Sequence, residues 1–194
     1  MLFRSAQRLA GDGYLVLPAF AEPHAHLDKA FLAERYENPT GDLLGAILAM
    51  EGARATITLP DTIARAERAA RLLAANGCTA IRTHVDLTLA GGLTSVEALV
   101  DVRERLRPLV DIQVVALCAW PSIGPEGADQ RALLGDAIAM GIDVVGGCPH
   151  LETDPAAAND TLLSIAAGAG LPVDLHTDET LNPEIGRASC RERV

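Results

Sequence analysis

The residues best suited to chemistry are five histidines and one carboxylate: His24, His26, His84, His150, His176 and Glu179. His24-Ala25-His26 is an HxH pair. In an extended backbone, residues two apart project to the same side, so both imidazoles can face one metal ion. HxH alone is a weak signal; His176, far along the chain, adds a third candidate ligand. Neutral imidazoles with oxygen ligands suit zinc, iron(II) or manganese, and the sequence does not choose among them. A bound divalent ion lowers the pKa of water to about 7. A side chain must still take the proton and deliver it to a leaving nitrogen. Glu179, three residues after His176, is placed to act as general base and then general acid. Its local sequence equally suits a carboxylate in the first turn of a helix. There is no HExxH, no P-loop, no GxGxxG, and no HxE with PCxxC, which removes the other zinc-deaminase fold.

Short β-branched runs alternate with longer Ala- and Leu-rich stretches of helical period. Strands are expected at 14–20, 80–85, 112–119, 143–146 and 173–175, with helices around 42–51, 61–75, 95–107, 128–140 and 158–168. Thr94-Ser95-Val96-Glu97 reads as a capping box. Gly77, Gly141 and Gly170 each follow a helical run and precede a strand, as left-handed C-terminal caps do. Strands joined through helices make a parallel sheet. On this map His24 and His26 follow the first strand, His84 ends the second, His150 follows the fourth and His176 ends the fifth. No histidine falls on a predicted helix. One histidine at a strand end is usually a satisfied core residue, but all five at strand ends form a constellation. A TIM barrel gathers its active site at that face. A doubly wound sheet would not set every unit's end around one ring. The expected fold is therefore α/β, a TIM (β/α)8 barrel represented by about its first five βα units.

Four blocks carry a more specific likeness: Glu22-Pro23-His24-Ala25-His26-Leu27-Asp28, Arg82-Thr83-His84-Val85-Asp86, Asp143-Val144-Val145-Gly146-Gly147-Cys148-Pro149-His150 and Asp174-Leu175-His176-Thr177-Asp178-Glu179. In order and spacing they resemble the bacterial cytosine deaminase-like family of the amidohydrolase superfamily. The resemblance implies one divalent ion, zinc or iron(II), held by His24, His26 and His176, with Glu179 as proton shuttle. It implies supporting roles for His84, Asp86, His150 and Asp178. Leu43, in Gly41-Asp42-Leu43, matches a position lining the substrate pocket. After the third strand the family carries Phe-Pro-Gln, whose glutamine reads a pyrimidine edge. Leu117-Cys118-Ala119-Trp120-Pro121-Ser122 stands there instead, which brings Trp120 toward the substrate and weakens the case for cytosine. The implied activity is hydrolysis of a non-peptide C–N bond, as in deamination of a cyclic amidine or amino-heterocycle. A hydrolase of N-substituted ring amines or cyclic amides is the alternative on the same scaffold. A metal- or ligand-binding barrel fragment without turnover is the alternative of another class.

Bulk properties agree with an acidic globular chain acting on a small molecule. In 194 residues there are four cysteines and no CxxC pair, against a disulfide framework or zinc ribbon and for a reduced cytoplasm. A net charge of -10 disfavours nucleic acid and anionic membrane as partners, and no apolar run approaches the roughly 18 residues of a membrane span. A homo-oligomeric parent remains open. Lys29 is the lone lysine among 16 basic residues, which reads as codon bias toward G and C, and as a lone lysine it is expected to be a solvated surface residue. Both ends look foreign: Met1–Arg4-Ser5 and the stretch from Glu184 to Val194 resemble translations of short-read sequencing adapters. The natural part is expected at 6–183, with 1–5 and 184–194 excluded. Family members continue to a further histidine and a metal-binding aspartate. They also begin with a small β-domain, of which 6–13 is at most a remnant.

Overall fold

The structure is a computed structural model that describes residues 11–177 and 179. Its elements run β1 (Phe20–Ala25), α1 (Leu43–Ala53), α2 (Leu59–Ala75), β2 (Cys78–Leu87), α3 (Thr94–Leu106), β3 (Asp111–Cys118), α4 (Ala128–Met140), β4 (Val144–Gly147), α5 (Pro155–Ala169) and β5 (Val173–Leu175). The five strands pair in sequence order, all parallel. Strands alternating with helices in this order make a half-barrel, as in the first part of a TIM barrel.

Local chemistry starts and stops the helices. Asp42, Thr58 and Asp154 accept hydrogen bonds from Gly45, Asp61 and Ala157 N–H groups at the starts of α1, α2 and α5, each satisfying one of the donors a first turn leaves free. Gly141 and Gly170 end α4 and α5 with φ of 94° and 67°, a region costly for any residue with a Cβ.

Three expectations shift. Residues 14–19 form no strand: Tyr14, Leu15 and Val16 are at least 80% exposed. The first strand begins where the Phe20 N–H reaches the Gly77 carbonyl at 2.9 Å. An apolar run without a neighbour to pair with cannot become a strand, because its backbone groups find no ladder. His24 consequently lies within β1. The Thr94–Glu97 capping box does not form either: Leu93 is the N-cap of α3, Thr94 is already helical, and no side chain caps this end. Finally, β2 runs on to Leu87, so His84 is interior to its strand.

The sheet has two distinct faces. Ile81, Val85 and Leu87 of β2, Ile112, Val114 and Ala116 of β3, and Val145 of β4 pack with Ala66, Ala70, Leu99, Val102, Leu134 and Leu162 of the helices. The alternate positions line the inner face, where Val115, Leu117 and Val144 form a separate small cluster. Period-2 alternation therefore puts Arg82, His84, Asp86 and Asp174 on the inner face. Gly146 shares it because a Cβ there would come within 2.7 Å of Val115 and 2.9 Å of the Asp174 carbonyl.

Among the described residues β1 and β5 are each paired on one side only. Open edges of this kind template association between chains. The 194-residue chain expressed alone is therefore expected to be insoluble or molten and without hydrolase activity. A monodisperse monomer with a sharp cooperative thermal transition and ammonia release above background would overturn that expectation.

Candidate metal centre at the strand ends

The β1–β2 register slips between Glu22↔Ile81 and Ala25↔Thr83. Pro23 and His24 sit at that irregularity, where proline's missing N–H costs an edge strand little and a bulge re-aims the side chains beside it. The Leu27 N–H then bonds the buried Thr83 hydroxyl at 3.0 Å, anchoring the chain just after His26. His84 comes from the inner face of β2, and His176 follows β5, its N–H held by the Gly147 carbonyl at 2.9 Å.

Four imidazoles thereby converge. His24 stacks on His84 with ring centroids 4.2 Å apart and lies 4.7 Å from His176. His26 and His84 are 5.0–5.6 Å from the neighbours that complete the group. One ligand atom each from His24, His26 and His84 falls within 4.8 Å of the others. The His176 Nε2 approaches the His26 Nε2 at 3.4 Å.

These residues fit a metal ion in their spacing, their unpaired nitrogens and their neutrality. Two nitrogens bound about 2.0–2.1 Å from a tetrahedral ion stand about 3.3–3.4 Å apart, the separation seen between His26 and His176. His84 Nδ1 and Nε2 and His176 Nδ1 are buried with no hydrogen-bond partner among the described residues, and buried polar atoms are rarely left so. Burial, then the Lys29 ammonium, push the His26 imidazole down to about 3. Burial likewise lowers His84 and His176, which keeps these rings neutral, with lone pairs available to a cation.

Around the cluster the supporting residues take definite places. Lys29 donates to Asp86 at 2.8 Å, and its Nζ stands 3.3 Å from His26 Nδ1. Burial disfavours the charge on Lys29, but Asp28 and Asp86 outweigh it and raise its pKa. His150, in the turn after β4, has Nδ1 bonded to the His176 carbonyl at 3.0 Å, and its Nε2 faces Glu179 at 3.7 Å. His150 thus connects the strand carrying His176 to the expected proton shuttle.

The remaining site residues are placed less closely. Trp120 follows β3, half-exposed, and makes no aromatic pair with the histidines among the described residues. Its neighbour Ser122 is buried, and both its N–H and its hydroxyl donate to Glu152, so Ser122 is committed to the loop. Leu43 opens α1, and its side chain, like Asp178, falls outside the described part of the structure.

Sequence reading missed Lys29, set aside as a surface residue. The signal was its place three residues after His26. A cavity of about 170 Å³ opens beside it, lined by Asp28, Lys29, Arg54 and Asp86 among others. A larger one, about 290 Å³, lies by Asp111 and Asp143 at the opposite ends of β3 and β4, away from the histidines.

A parallel half-barrel with its histidines gathered at the C-terminal strand ends defines a class, and comparison with known proteins agrees with it. No family model matches the sequence. A pterin deaminase of Rhizobium rhizogenes is 34% identical over 177 residues, covering 90% of this chain and 39% of the relative. The crystal structure of 5-methylcytosine deaminase from Klebsiella pneumoniae liganded with 5-fluorocytosine superposes with a TM-score of 0.78 at 34% identity, covering 94% of this chain and 46% of that one. N-isopropylammelide isopropylaminohydrolase from Burkholderia multivorans gives a TM-score of 0.70 at 40% identity, covering 82% and 40%. The chain belongs to the amidohydrolase superfamily. It spans less than half the length of each of these three relatives. Among the described residues no helix is long and apolar enough to cross a membrane.

Proposed function

We propose that this chain is the metal-binding first part of a hydrolase that cleaves a non-peptide C–N bond of a small nitrogen heterocycle, with deamination as the leading reaction. The observation that carries this reading is the convergence of His24, His26, His84 and His176 beside Glu179 at one end of a parallel sheet. His24, His26 and His176 would hold a divalent ion, which when bound would supply the Lewis acidity that makes water a nucleophile near neutral pH. Zinc and iron(II) both suit the nitrogen-rich donor set.

The chain's own residues do the rest. Glu179 takes the proton of the attacking water and returns it to the departing nitrogen. His150, tied through Nδ1 to the His176 carbonyl, turns its Nε2 toward Glu179 at 3.7 Å. Lys29, held by Asp86, sets its Nζ beside the outer nitrogen of His26. Trp120 offers an aromatic face to a planar ring, the role its position after β3 suggests. The names of the relatives speak for the substrate class: pterin, methylcytosine and an N-alkylated triazine derivative are all nitrogen heterocycles. The last of these favours a second reading, cleavage of a substituted ring amine.

Because Trp120-Pro121-Ser122 stands where a pyrimidine-reading glutamine is expected, and Ser122 is bound to Glu152, cytosine should be a poor substrate. The test is ammonia or amine release by the full-length protein from cytosine, pterins, amino-triazines and cyclic amides. Cytosine giving the highest kcat/KM would refute the substrate assignment. No turnover of any member by metal-loaded protein would favour a binding protein.

A further inference from the structure

The turn that follows His26 is held from the helix layer by a buried arginine that the proposed reaction does not use. Arg65 of α2 is only 7% exposed. Its Nη1 donates to the carbonyls of Asp28 and Ala30 at 2.6 and 3.0 Å, its Nε to Asp61 at 2.8 Å, and its Nη2 to the Thr62 hydroxyl at 3.2 Å. Asp61, one turn earlier on α2, aims the guanidinium, and Arg35 holds the other Asp61 oxygen at 2.8 Å. A guanidinium out of water is costly unless its donors are met. Here the donors that do not serve α2 itself go to the two carbonyls beside Lys29.

What Arg65 grips is a single 3-10 turn, Leu27–Lys29, with His26 as its N-cap. The turn's own bonds run from the Lys29 N–H to the His26 carbonyl at 3.1 Å and from the Ala30 N–H to the Leu27 carbonyl at 3.3 Å. So short a turn leaves its last carbonyls without partners, and a planar fork serves two of them in a fixed geometry that the point charge of a lysine does not impose. On the other side the Leu27 N–H is bonded to the buried Thr83 hydroxyl of β2. The backbone just after His26 is thereby fastened to α2 and to β2 at once. The chain beyond is not relaxed. Phe31 has φ of 62°, a left-handed conformation that a bulky side chain rarely adopts, and such strain persists only where the surroundings over-determine it. Arg65 on the Ala30 carbonyl and Arg68, whose guanidinium lies 3.7 Å over the Phe31 ring, do so here.

We propose that Arg65 is a positioning residue of the metal centre, acting through the Leu27–Ala30 backbone to fix the place of His26 opposite His176. The proposal rests on the metal reading above and adds the outer support of one of its ligands. Among the described residues Arg65 donates to the backbone of the turn and not to the imidazole. It decides where the turn that begins at His26 can lie, with Thr83 as the second anchor of the same turn.

The test is cobalt(II) loading of the full-length protein, with affinity measured by competition against a chromogenic chelator and coordination read from the visible spectrum. Arg65→Met should lower affinity by about 10–100-fold, the usual effect of losing an outer partner of a ligand, and shift the cobalt bands. Arg65→Lys should recover part of both. Thr83→Val, which frees the other anchor, should shift the bands in the same direction. The double variant should lose less affinity than the two separate losses combined, because both act on one turn. Arg68→Met is the control: it loosens the loop at Phe31 and should lower the unfolding midpoint with wild-type bands. A lowered midpoint in Arg65→Met with wild-type affinity and spectrum makes Arg65 a structural tie and overturns the proposal. Strictly additive losses with Thr83→Val, or an equal band shift in Arg68→Met, overturn it too. Should Arg65→Met fail to fold, wild-type affinity and bands in both Arg65→Lys and Thr83→Val overturn it equally. Wild-type protein that takes up no cobalt refutes the metal reading, and this proposal with it.

Discussion

Replacing His24 and His26 together by alanine in the full-length protein is expected to remove stoichiometric metal and all measurable turnover. His26 Nε2 faces His176 Nε2 at a separation that suits two ligands of one ion, and His24 packs within 4.2–5.3 Å of His26, His84 and His176. Losing two donors should weaken binding by more than the about 10–100-fold typical of losing an outer partner. Folding should be nearly untouched, because His24 is exposed and His26 only partly buried, and substitutions at such positions usually stay within about 0.5 kcal/mol. Elemental analysis of the purified variant decides: metal content equal to wild type would reject these residues as ligands.

Glu179→Gln separates chemistry from binding. It should leave metal content and the unfolding midpoint at wild-type values while kcat falls by about 10²–10⁴-fold, the range that general acid–base groups supply. The glutamine keeps the volume and a hydrogen-bonding amide opposite His150 Nε2, now 3.7 Å from the carboxylate, but it cannot carry the proton between water and leaving group. A kcat near wild type would make Glu179 a bystander and move the search for the shuttle to other residues.

The sequence by itself determined the order of elements, the parallel class of the sheet and the gathering of the histidines toward one end of it, although His24 and His84 lie inside their strands and not after them. These follow from local causes. Apolar period distinguishes strands such as Ile112–Ala116 from helices such as α4, whose limits match the expectation. Glycines 141 and 170 stop helices because only they take positive φ without strain. The first strand misled because an apolar run at 14–17 has strand-like composition, yet what makes a strand is a partner, and here the partner begins at Cys78. The supposed cap at Thr94 failed for a related reason: the chain's approach through Gly91-Gly92 made Leu93 the first half-in residue.

Which nitrogens meet at the centre was decided by tertiary structure alone. Nothing in the local sequence tells His84 to stack on His24, or Arg82 to reach Asp174 across two intervening strands; sheet curvature and the missing side chain of Gly146 allow it. Lys29 reads as a surface lysine until the turn after β1 folds it between His26 and Asp86. Spacing along a chain fixes the side of the backbone a residue takes, whereas contacts between strands depend on register and curvature, which are properties of the assembled sheet.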